Sequence, residues 1–208
     1  MTLFLSCCML SIDQGKKAID FSRKILKATV KNKTIPTVDL PSIFDEYHGV
    51  FTTLHTYPAY ELRGCIGIPE PVMSLKKALI ESGQSVTHDP RFPELQDNEL
   101  KDVIVELTIL TKPEEIKAKT SKGLLENIIV GRDGLIVEHG FFKGLLLPQV
   151  PVEQQWDKKS FVEHTCLKAG LPPNKWMDEK TVIKKFTAQI FAEKKPYGKV
   201  KEKTFDEP

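Results

Sequence analysis

Val103-Ile-Val-Glu-Leu-Thr-Ile-Leu-Thr111 decides the fold, because it is the clearest β-strand of the chain. β-Branched and aliphatic residues dominate it, as is typical of a strand that is largely buried. Two earlier stretches, residues 49–57 and 62–68, also have strand patterns, the first rich in aromatic and β-branched residues and the second interrupted by glycines. The steps between strands are mostly hairpin-like rather than regular β-α-β units, and this favours an antiparallel sheet.

Helices are predicted around these strands. The capping-box pattern Ser11-Ile-Asp-Gln14 precedes apolar residues at helical spacing, which predicts a helix over residues 11–31. The other predicted elements are helices at residues 71–83, 124–129 and 160–169, and strands at residues 135–139, 145–147 and 181–191. We therefore predict an α+β fold, a mainly antiparallel sheet flanked by helices, with a larger and a smaller part packed intimately together.

Length and composition predict one globular domain. The 208 residues, 40% of them hydrophobic and 28% charged, are enough to bury a core without disulfides. We predict a single domain over residues 1–192, for which an organisation as two lobes without a clear boundary stays open, and a polar, lysine-rich tail over residues 193–208. Residues 1–10 are apolar but too short to span a bilayer and lack a basic start, so we expect them to pack on the core.

Cysteine usage and net charge bear on compartment and partners. Cys7, Cys8, Cys65 and Cys166 form no CxxC pair, a pattern typical of free thiols in a reducing compartment, and we expect a cytoplasmic location without a membrane partner. A net charge of +2 does not by itself favour nucleic acid, although the lysine-rich tail offers a weakly supported RNA contact. The oligomeric state does not follow from the sequence.

Glu61-Leu-Arg-Gly-Cys-Ile-Gly-Ile68 is the first candidate site. Glycine inside a strand often marks a bulge or the close approach of a ligand, and here Gly64 and Gly67 bracket one thiol. Arg63 stands two residues before Cys65, where a guanidinium can activate a thiol or bind a carboxylate or phosphate. The structural alternative is a cysteine that acts as a small hydrophobic residue, with glycines that serve packing.

Thr87-His-Asp-Pro-Arg-Phe-Pro-Glu94 is the second candidate site. Its two prolines stiffen a loop that displays His88, Asp89 and Arg91, with Phe92 beside them. His88 suits proton transfer near neutral pH, and Asp89 suits the task of orienting it. The alternative is a loop cap, in which Asp89 accepts main-chain N–H bonds and Arg91 pairs with a carboxylate.

Further polar residues lie on or after predicted strands. Glu106 interrupts an apolar strand, so it faces solvent or a pocket with a cationic partner, and His139 closes a neighbouring strand. We expect Glu106 to meet Cys65, His88 and Arg91 in one open cleft. The histidines form no HxH or HxxxH cluster, and no phosphate-cradling glycine motif or GxSxG elbow is present. We therefore predict no metal ion and no cofactor.

These segments together resemble the AMMECR family. Leu62-Arg-Gly-Cys-Ile-Gly67 is similar to its signature, and the other matching segments follow in the family's order: Asp89-Pro-Arg-Phe-Pro-Glu-Leu95, Val105-Glu-Leu107, Gly134-Leu-Ile-Val137 and Leu147-Pro-Gln-Val-Pro-Val-Glu-Gln-Gln-Trp-Asp157. The resemblance covers most of the chain and implies an α+β fold with an antiparallel sheet and a larger and a smaller part. It implies no established reaction.

Three functional hypotheses remain open. In the first, the protein is an enzyme or enzyme subunit in which Cys65 is the nucleophile, Arg63 activates the thiol or holds an anionic substrate, and His88 transfers protons. In the second, a non-catalytic binding module presents Arg63, Arg91 and Trp156 to a protein, nucleotide or RNA. In the third, Cys65 is purely structural. The resemblance implies a Memo-type or radical-SAM protein as partner in a modification pathway, because family members occur beside such proteins in many microbes.

Overall fold

The structure, a computed structural model, describes residues 10–118 and 120–203. These residues form two units. The first unit contains residues 10–112 and 189–203, and the second contains the described residues of the segment 113–188. The first unit is therefore discontinuous in sequence, because the chain returns to it after the second unit. The predictions for residues 1–9, including those for Cys7 and Cys8, lie outside the described residues.

Helices and strands largely follow the predicted pattern. The α-helices are α1 Ile12–Val30, α2 Leu75–Ser85, α3 Ser121–Glu126, α4 Gln149–Glu153 and α5 Lys158–Lys168. The strands are β1 Gly49–Thr56, β2 Leu62–Ile68, β3 Val103–Leu110, β4 Glu114–Glu115, β5 Asp133–His139, β6 Phe142–Leu146, β7 Val182–Glu193 and β8 Val200–Lys203. The largest shift is in α2, which begins four residues after Pro71, the residue predicted to occupy its first turn.

The sheet of the first unit has the order β2-β1-β3-β7, with β8 on β7. Strand β1 pairs antiparallel with both neighbours, so Thr53 stands opposite Cys65 on one side and opposite Glu106 on the other. Because side chains alternate between the faces of a strand, Leu54 and Leu107 point to the opposite face, where they join the core with α1 and α2. Thr53, Cys65 and Glu106 therefore form one cross-strand row on the face away from that core.

Helix α1 is fixed at its start by a cap and along its length by burial. The Ser11 hydroxyl accepts the Gln14 N–H at 3.3 Å, and the Gln14 side chain accepts the Ser11 N–H at 2.7 Å. Phe21 is buried on the inner face, and so is Arg23, whose Nε donates to Glu193 Oε1 at 2.9 Å. The same guanidinium donates to two main-chain carbonyls, so its charge and its donors are satisfied inside the protein.

The second unit has antiparallel strand pairs and its own core. Strand β5 pairs antiparallel with β6 and β7, and β4 pairs antiparallel with β7. Helix α5 lies against β6 at Gly144, where an added Cβ would come within 2.4 Å of the Ala169 nitrogen. The predicted α+β fold with a mainly antiparallel sheet is thus confirmed. No helix in the described part of the chain is long and apolar enough to cross a membrane.

Residues 193–203 differ from the predicted polar tail. Strand β7 continues to Glu193, and β8 pairs with its last four residues after a hairpin closed by the Lys194 N–H to the Lys199 carbonyl at 2.9 Å. These residues are held in place because Val200 packs against the core and the Lys203 ammonium forms an ion pair with Glu106. Lysine-rich composition alone did not reveal these long-range partners.

Candidate functional site

Asp89 and Arg91 bind the main chain of Cys65 at the edge of the sheet. Strand β2 is an edge strand, and an edge strand normally leaves N–H and C=O groups without partners. Here the Cys65 N–H donates to Asp89 Oδ2 at 2.8 Å, and Arg91 Nη2 donates to the Cys65 carbonyl at 2.9 Å. We call these two residues the edge clamp. The clamp fixes the backbone of Cys65 and blocks strand pairing at that residue.

The edge clamp is an ion pair with one buried partner. Asp89 is almost fully buried and accepts Arg91 Nε at 3.0 Å, Nη2 at 2.7 Å and the main-chain N–H at 3.1 Å. The bonds from the Arg91 guanidinium hold the pKa of Asp89 well below its usual range; burial opposes this shift, and main-chain bonds from Cys65 and Arg91 reinforce it. This geometry is the loop-cap alternative that the sequence left open.

The two glycines beside Cys65 serve different neighbours. A Cβ on Gly64 would lie 3.1 Å from Val86 Cγ2 and 3.2 Å from the Val86 carbonyl oxygen, so its absence lets the loop approach β2. A Cβ on Gly67 would lie 2.2 Å from the Phe51 ring, which covers this glycine from the adjacent strand. Gly64 therefore positions the clamp, whereas Gly67 makes room for an aromatic side chain.

The Cys65 thiol is partly exposed and has a hydroxyl neighbour. Thr53 Oγ1 donates to Cys65 Sγ at 3.3 Å. Arg63, expected to activate this thiol, instead makes two bonds to Glu99 at 2.9 and 3.1 Å, and only 13% of its side chain is exposed. The Arg91 pKa is raised, mainly by its bonds to Asp89 and to a lesser extent by Cys65. The guanidinium that contacts Cys65 is therefore that of Arg91, through the Cys65 carbonyl at 2.9 Å.

His88 and Phe92 lie on the same loop but have other surroundings. The His88 side chain is 57% exposed, and its Nδ1 lies 3.1 Å from Glu94 Oε1. The Phe92 ring is partly buried, with its centroid 5.6 Å from the Arg91 guanidinium carbon. The structure thus brings Cys65, Asp89 and Arg91 together, while His88 pairs with a surface carboxylate.

A second polar group surrounds Glu106. The Tyr60 hydroxyl donates to Glu106 Oε2 at 3.0 Å, and the Lys203 ammonium lies 3.3 Å from the same oxygen and 3.1 Å from the Tyr60 hydroxyl. His55 Nε2 lies 3.9 Å from Glu106 Oε1, and its ring stacks on Tyr60 with centroids 4.2 Å apart. We call His55, Tyr60, Glu106 and Lys203 the Glu106 cluster. Glu106 therefore has the cationic partner that its place in an apolar strand requires.

The charges of the Glu106 cluster stabilise one another. Burial raises the pKa of Glu106, but hydrogen bonds and charges from His55, Lys203 and Tyr60 outweigh it, and the net shift is downward. Burial lowers the pKa of Lys203, but Tyr60 and Glu106 outweigh that effect, and the net shift is upward. The pKa of Tyr60 is raised, chiefly by burial. Carboxylate and ammonium both remain charged near neutral pH.

Sequence reasoning missed three members of this cluster. His55 follows Thr53 by two residues, so strand alternation was a signal that it shares a face with Cys65. Its Nδ1 is buried and has no hydrogen-bond partner among the described residues. Tyr60 has φ +58°, a left-handed conformation that aromatic residues rarely adopt. Lys203 carried no usable signal, because it stood in an apparent tail.

The remaining predicted residues belong to the second unit. At the end of β5, His139 Nδ1 lies 3.0 Å from Thr181 Oγ1. The Trp156 indole stacks on His164, with ring centroids 3.8 Å apart. The edge clamp and the Glu106 cluster consist of first-unit residues alone. Within residues 10–118 and 120–203, no group of three or more His, Cys, Asp or Glu side chains is placed to hold a metal ion.

Comparison with known proteins identifies the family. The AMMECR1 family pattern matches residues 19–191, which is most of the chain. The chain belongs to the AMMECR1 family. This confirms the resemblance inferred from the segments around Cys65 and Trp156. The AMMECR1 match includes the edge clamp and most of the Glu106 cluster, but it ends before Lys203.

Archaeal relatives are similar over nearly their whole length. A protein of Methanocaldococcus jannaschii is 50% identical over 196 residues, covering 94% of this chain and 98% of the relative. A protein of Methanococcus aeolicus is 48% identical over 194 residues, covering 93% and 98%. The crystal structure of an uncharacterized protein from Pyrococcus horikoshii superposes with a TM-score of 0.83 at 42% identity, covering 94% of this chain and 98% of that one. The Pyrococcus horikoshii protein thus has the same fold as this chain.

Proposed function

We propose that the protein is an enzyme in which the Cys65 thiol is the nucleophile toward a substrate that carries an anionic group. One observation supports this: Cys65 is partly exposed, its sulfur accepts the Thr53 hydroxyl at 3.3 Å, and the edge clamp fixes its main chain on both sides. A nucleophile held in one place loses little freedom on reaching the transition state. The clamp therefore makes the Cys65 main chain rigid, whichever electrophilic atom of the substrate the sulfur attacks.

The anionic group of the substrate binds Arg91 in this proposal. Nε and Nη2 of Arg91 are engaged by Asp89 and Cys65, whereas Nη1 makes no hydrogen bond within the described part of the chain. The Arg91 side chain is 54% exposed. Because Asp89 already orients the guanidinium, Nη1 binds a carboxylate or phosphate with little further loss of side-chain entropy.

Proton transfer is assigned to the Glu106 cluster instead of His88. A thiol must lose its proton before it attacks, and the leaving group must gain one. Glu106 lies directly opposite Thr53 on β3, and His55 lies two residues beyond Thr53 on β1. His55 and Glu106 thus share a sheet face with Cys65, whereas His88 is bound to Glu94 at the surface.

Residue-resolved alkylation tests the proposal. Iodoacetamide and the anionic reagent iodoacetate are applied to the folded protein, and mass spectrometry separates Cys65 from Cys166, Cys7 and Cys8. We expect Cys65 to react at least about tenfold faster than Cys166, which is fully buried and whose pKa is raised by burial. We also expect Cys65 to react faster with iodoacetate in the folded chain than in urea, since only the folded chain holds the Arg91 cation against Cys65.

Arg91→Gln isolates the anion site. This variant lowers the iodoacetate-to-iodoacetamide rate ratio at Cys65, because it removes the cation that attracts the anionic reagent. Arg132→Gln is a matched control, since Arg132 likewise pairs with a buried aspartate at 2.7 Å and is 45% exposed. An unchanged ratio in Arg91→Gln, or a Cys65 that reacts no faster folded than unfolded, contradicts the proposal.

A second function is favoured by the partners of the predicted catalytic residues. Arg63 is bound to Glu99 and His88 to Glu94, so neither contacts the thiol, as a non-catalytic binding module would allow. In that case Arg91 recognises a protein, such as the Memo-type or radical-SAM partner that the resemblance implies. Titration calorimetry with these proteins from the same genome separates the two functions. A binding module keeps its affinity in Cys65→Ser and loses it in Arg91→Gln.

A further inference from the structure

A basic groove runs beside α1 in the first unit. Two adjoining cavities of about 300 and 320 Å³ share Lys27 and Tyr197 in their walls. One cavity also contacts Lys24, and the other contacts Lys101. We call the pair of cavities the α1 groove. No residue of the edge clamp or of the Glu106 cluster lines it, so it is a separate surface feature.

The walls of the α1 groove have an excess of positive charge. Three exposed lysines form no ion pair within residues 10–118 and 120–203: Lys24, Lys27 and Lys101. The acidic residue Asp97 is neutralised by Lys31 at 3.1 Å, and Glu193 is bound to Arg23. Asp20 is the remaining acidic side chain of the walls. The three lysines are therefore available to an anionic ligand.

Tyr197 stands between the two cavities with one ring face exposed. The Arg23 guanidinium carbon lies 4.1 Å from the ring centroid on the inner side, and Arg23 is itself fixed by Glu193. The tyrosine is nevertheless 59% exposed. Its φ is +57°, the left-handed value that the third residue of a turn takes, and the turn is closed by the Gly198 N–H, which donates to the Lys195 carbonyl at 2.8 Å. The ring is therefore available for stacking on the side away from Arg23.

We infer that the α1 groove binds single-stranded nucleic acid, with one base stacked on the outer face of Tyr197 and phosphates bound by the lysines on either side. A positively charged groove with an aromatic platform is the arrangement by which proteins bind single strands without sequence preference. An acidic peptide would use the lysines but not the ring. A duplex would not expose a base face to Tyr197, because its bases are stacked and paired. This inference is independent of any reaction at Cys65.

Fluorescence anisotropy with a fluorescein-labelled, unstructured 12-nucleotide RNA tests this inference. Tyr197→Ala is expected to weaken binding roughly tenfold through the loss of stacking, whereas Tyr197→Phe retains wild-type affinity because the ring remains. Lys27→Gln weakens binding at 50 mM salt and reduces the slope of log affinity against log salt by about 0.7. Lys77→Gln, a change at an exposed lysine of α2 outside the groove, is the matched control and leaves both unchanged.

Competitors distinguish the classes of ligand. The unlabelled single strand displaces the probe, whereas a duplex of the same sequence, a mononucleotide and polyglutamate at equal charge concentration displace it far less. Thermal melting shows whether each variant is folded. If Tyr197→Ala does not fold, Tyr197→Phe and Lys27→Gln still decide the test. The inference is overturned by equal competition from the duplex or polyglutamate, by equal losses in Lys27→Gln and Lys77→Gln, or by undiminished binding in a folded Tyr197→Ala.

Discussion

Replacing Asp89 with asparagine tests the physical basis of the edge clamp. The change keeps the size of a buried side chain but removes its charge and puts an amide NH₂ toward the donors of Arg91. A hydrogen bond to a charged group contributes about 1.5–3 kcal/mol, but Arg91 is half exposed and solvent screens its part of the ion pair. The asparagine oxygen still accepts one of the original bonds. We therefore expect Asp89→Asn to lower the free energy of unfolding by about 2–3 kcal/mol.

The effect of Asp89→Asn depends on pH in a defined direction. The folded-state pKa of Asp89 is depressed from the ordinary value of 3.8, so the unfolded chain binds its proton at a higher pH than the folded chain does. The stability from the ionised carboxylate is therefore fully present above that ordinary value and is lost as the pH falls through the depressed folded-state pKa. The difference between wild type and variant should be constant from pH 5 to 7 and shrink steadily below about pH 4.

Urea unfolding and amide exchange of Cys65 measure the two parts of this prediction. The unfolding midpoint gives the global loss, and the Cys65 amide, whose N–H donates to Asp89, should exchange about 30- to 150-fold faster at a loss of 2–3 kcal/mol. Asp13→Asn is the control, because the Asp13 side chain is 81% exposed and its bond to Lys16 is screened. A variant with the wild-type midpoint and a Cys65 amide as protected as before would refute the reasoning.

Three other perturbations have clear expected outcomes. Gly144→Ala should lower the melting temperature far more than Gly140→Ala, because a Cβ at Gly144 meets the main-chain nitrogen of Ala169, just after α5, at 2.4 Å, whereas at Gly140 nothing lies within 4 Å and only positive φ opposes it. Lys203→Met should raise the pKa of Glu106, measured by carboxyl NMR titration, since the ammonium now lowers it. Arg23→Met should lower the free energy of unfolding by about 3–5 kcal/mol, measured by urea unfolding, because it leaves the buried Glu193 carboxylate without its ion-pair partner. These expectations would be contradicted by equal melting temperatures of the two glycine variants, by an unchanged Glu106 pKa in Lys203→Met, or by an unchanged free energy of unfolding in Arg23→Met.

Patterns that depend on neighbours in sequence predicted the fold well. Residues 103–111 and 49–57 were recognisable because strand character shows in consecutive side chains, and the observed strands end within one residue of both predictions. The cap at Ser11 was predictable for the same reason, since its partner Gln14 is three residues away. The family followed from short motifs in a fixed order.

The side-chain partners at the candidate site could not be predicted from sequence because they lie far apart along the chain. Arg63 was assigned to the thiol because it is two residues from Cys65, but it binds Glu99, 36 residues away. Lys203 pairs with Glu106 across 97 residues of chain, and no local pattern marks such a pair. Residue type indicates that a charge needs a partner, but only the folded register determines which partner is within reach.

The return of the chain to the first unit has a practical consequence for dissecting this protein. A fragment cut at Lys112 keeps the thiol and both members of its clamp, yet it lacks Phe191, a fully buried core residue, and Glu193. Its Arg23 would then be a buried cation without a counter-ion, so such a fragment should be insoluble or unfolded. A minimal version of the first unit must instead be built by splicing residue 112 to residue 189 through a short linker, or by co-expressing the two pieces.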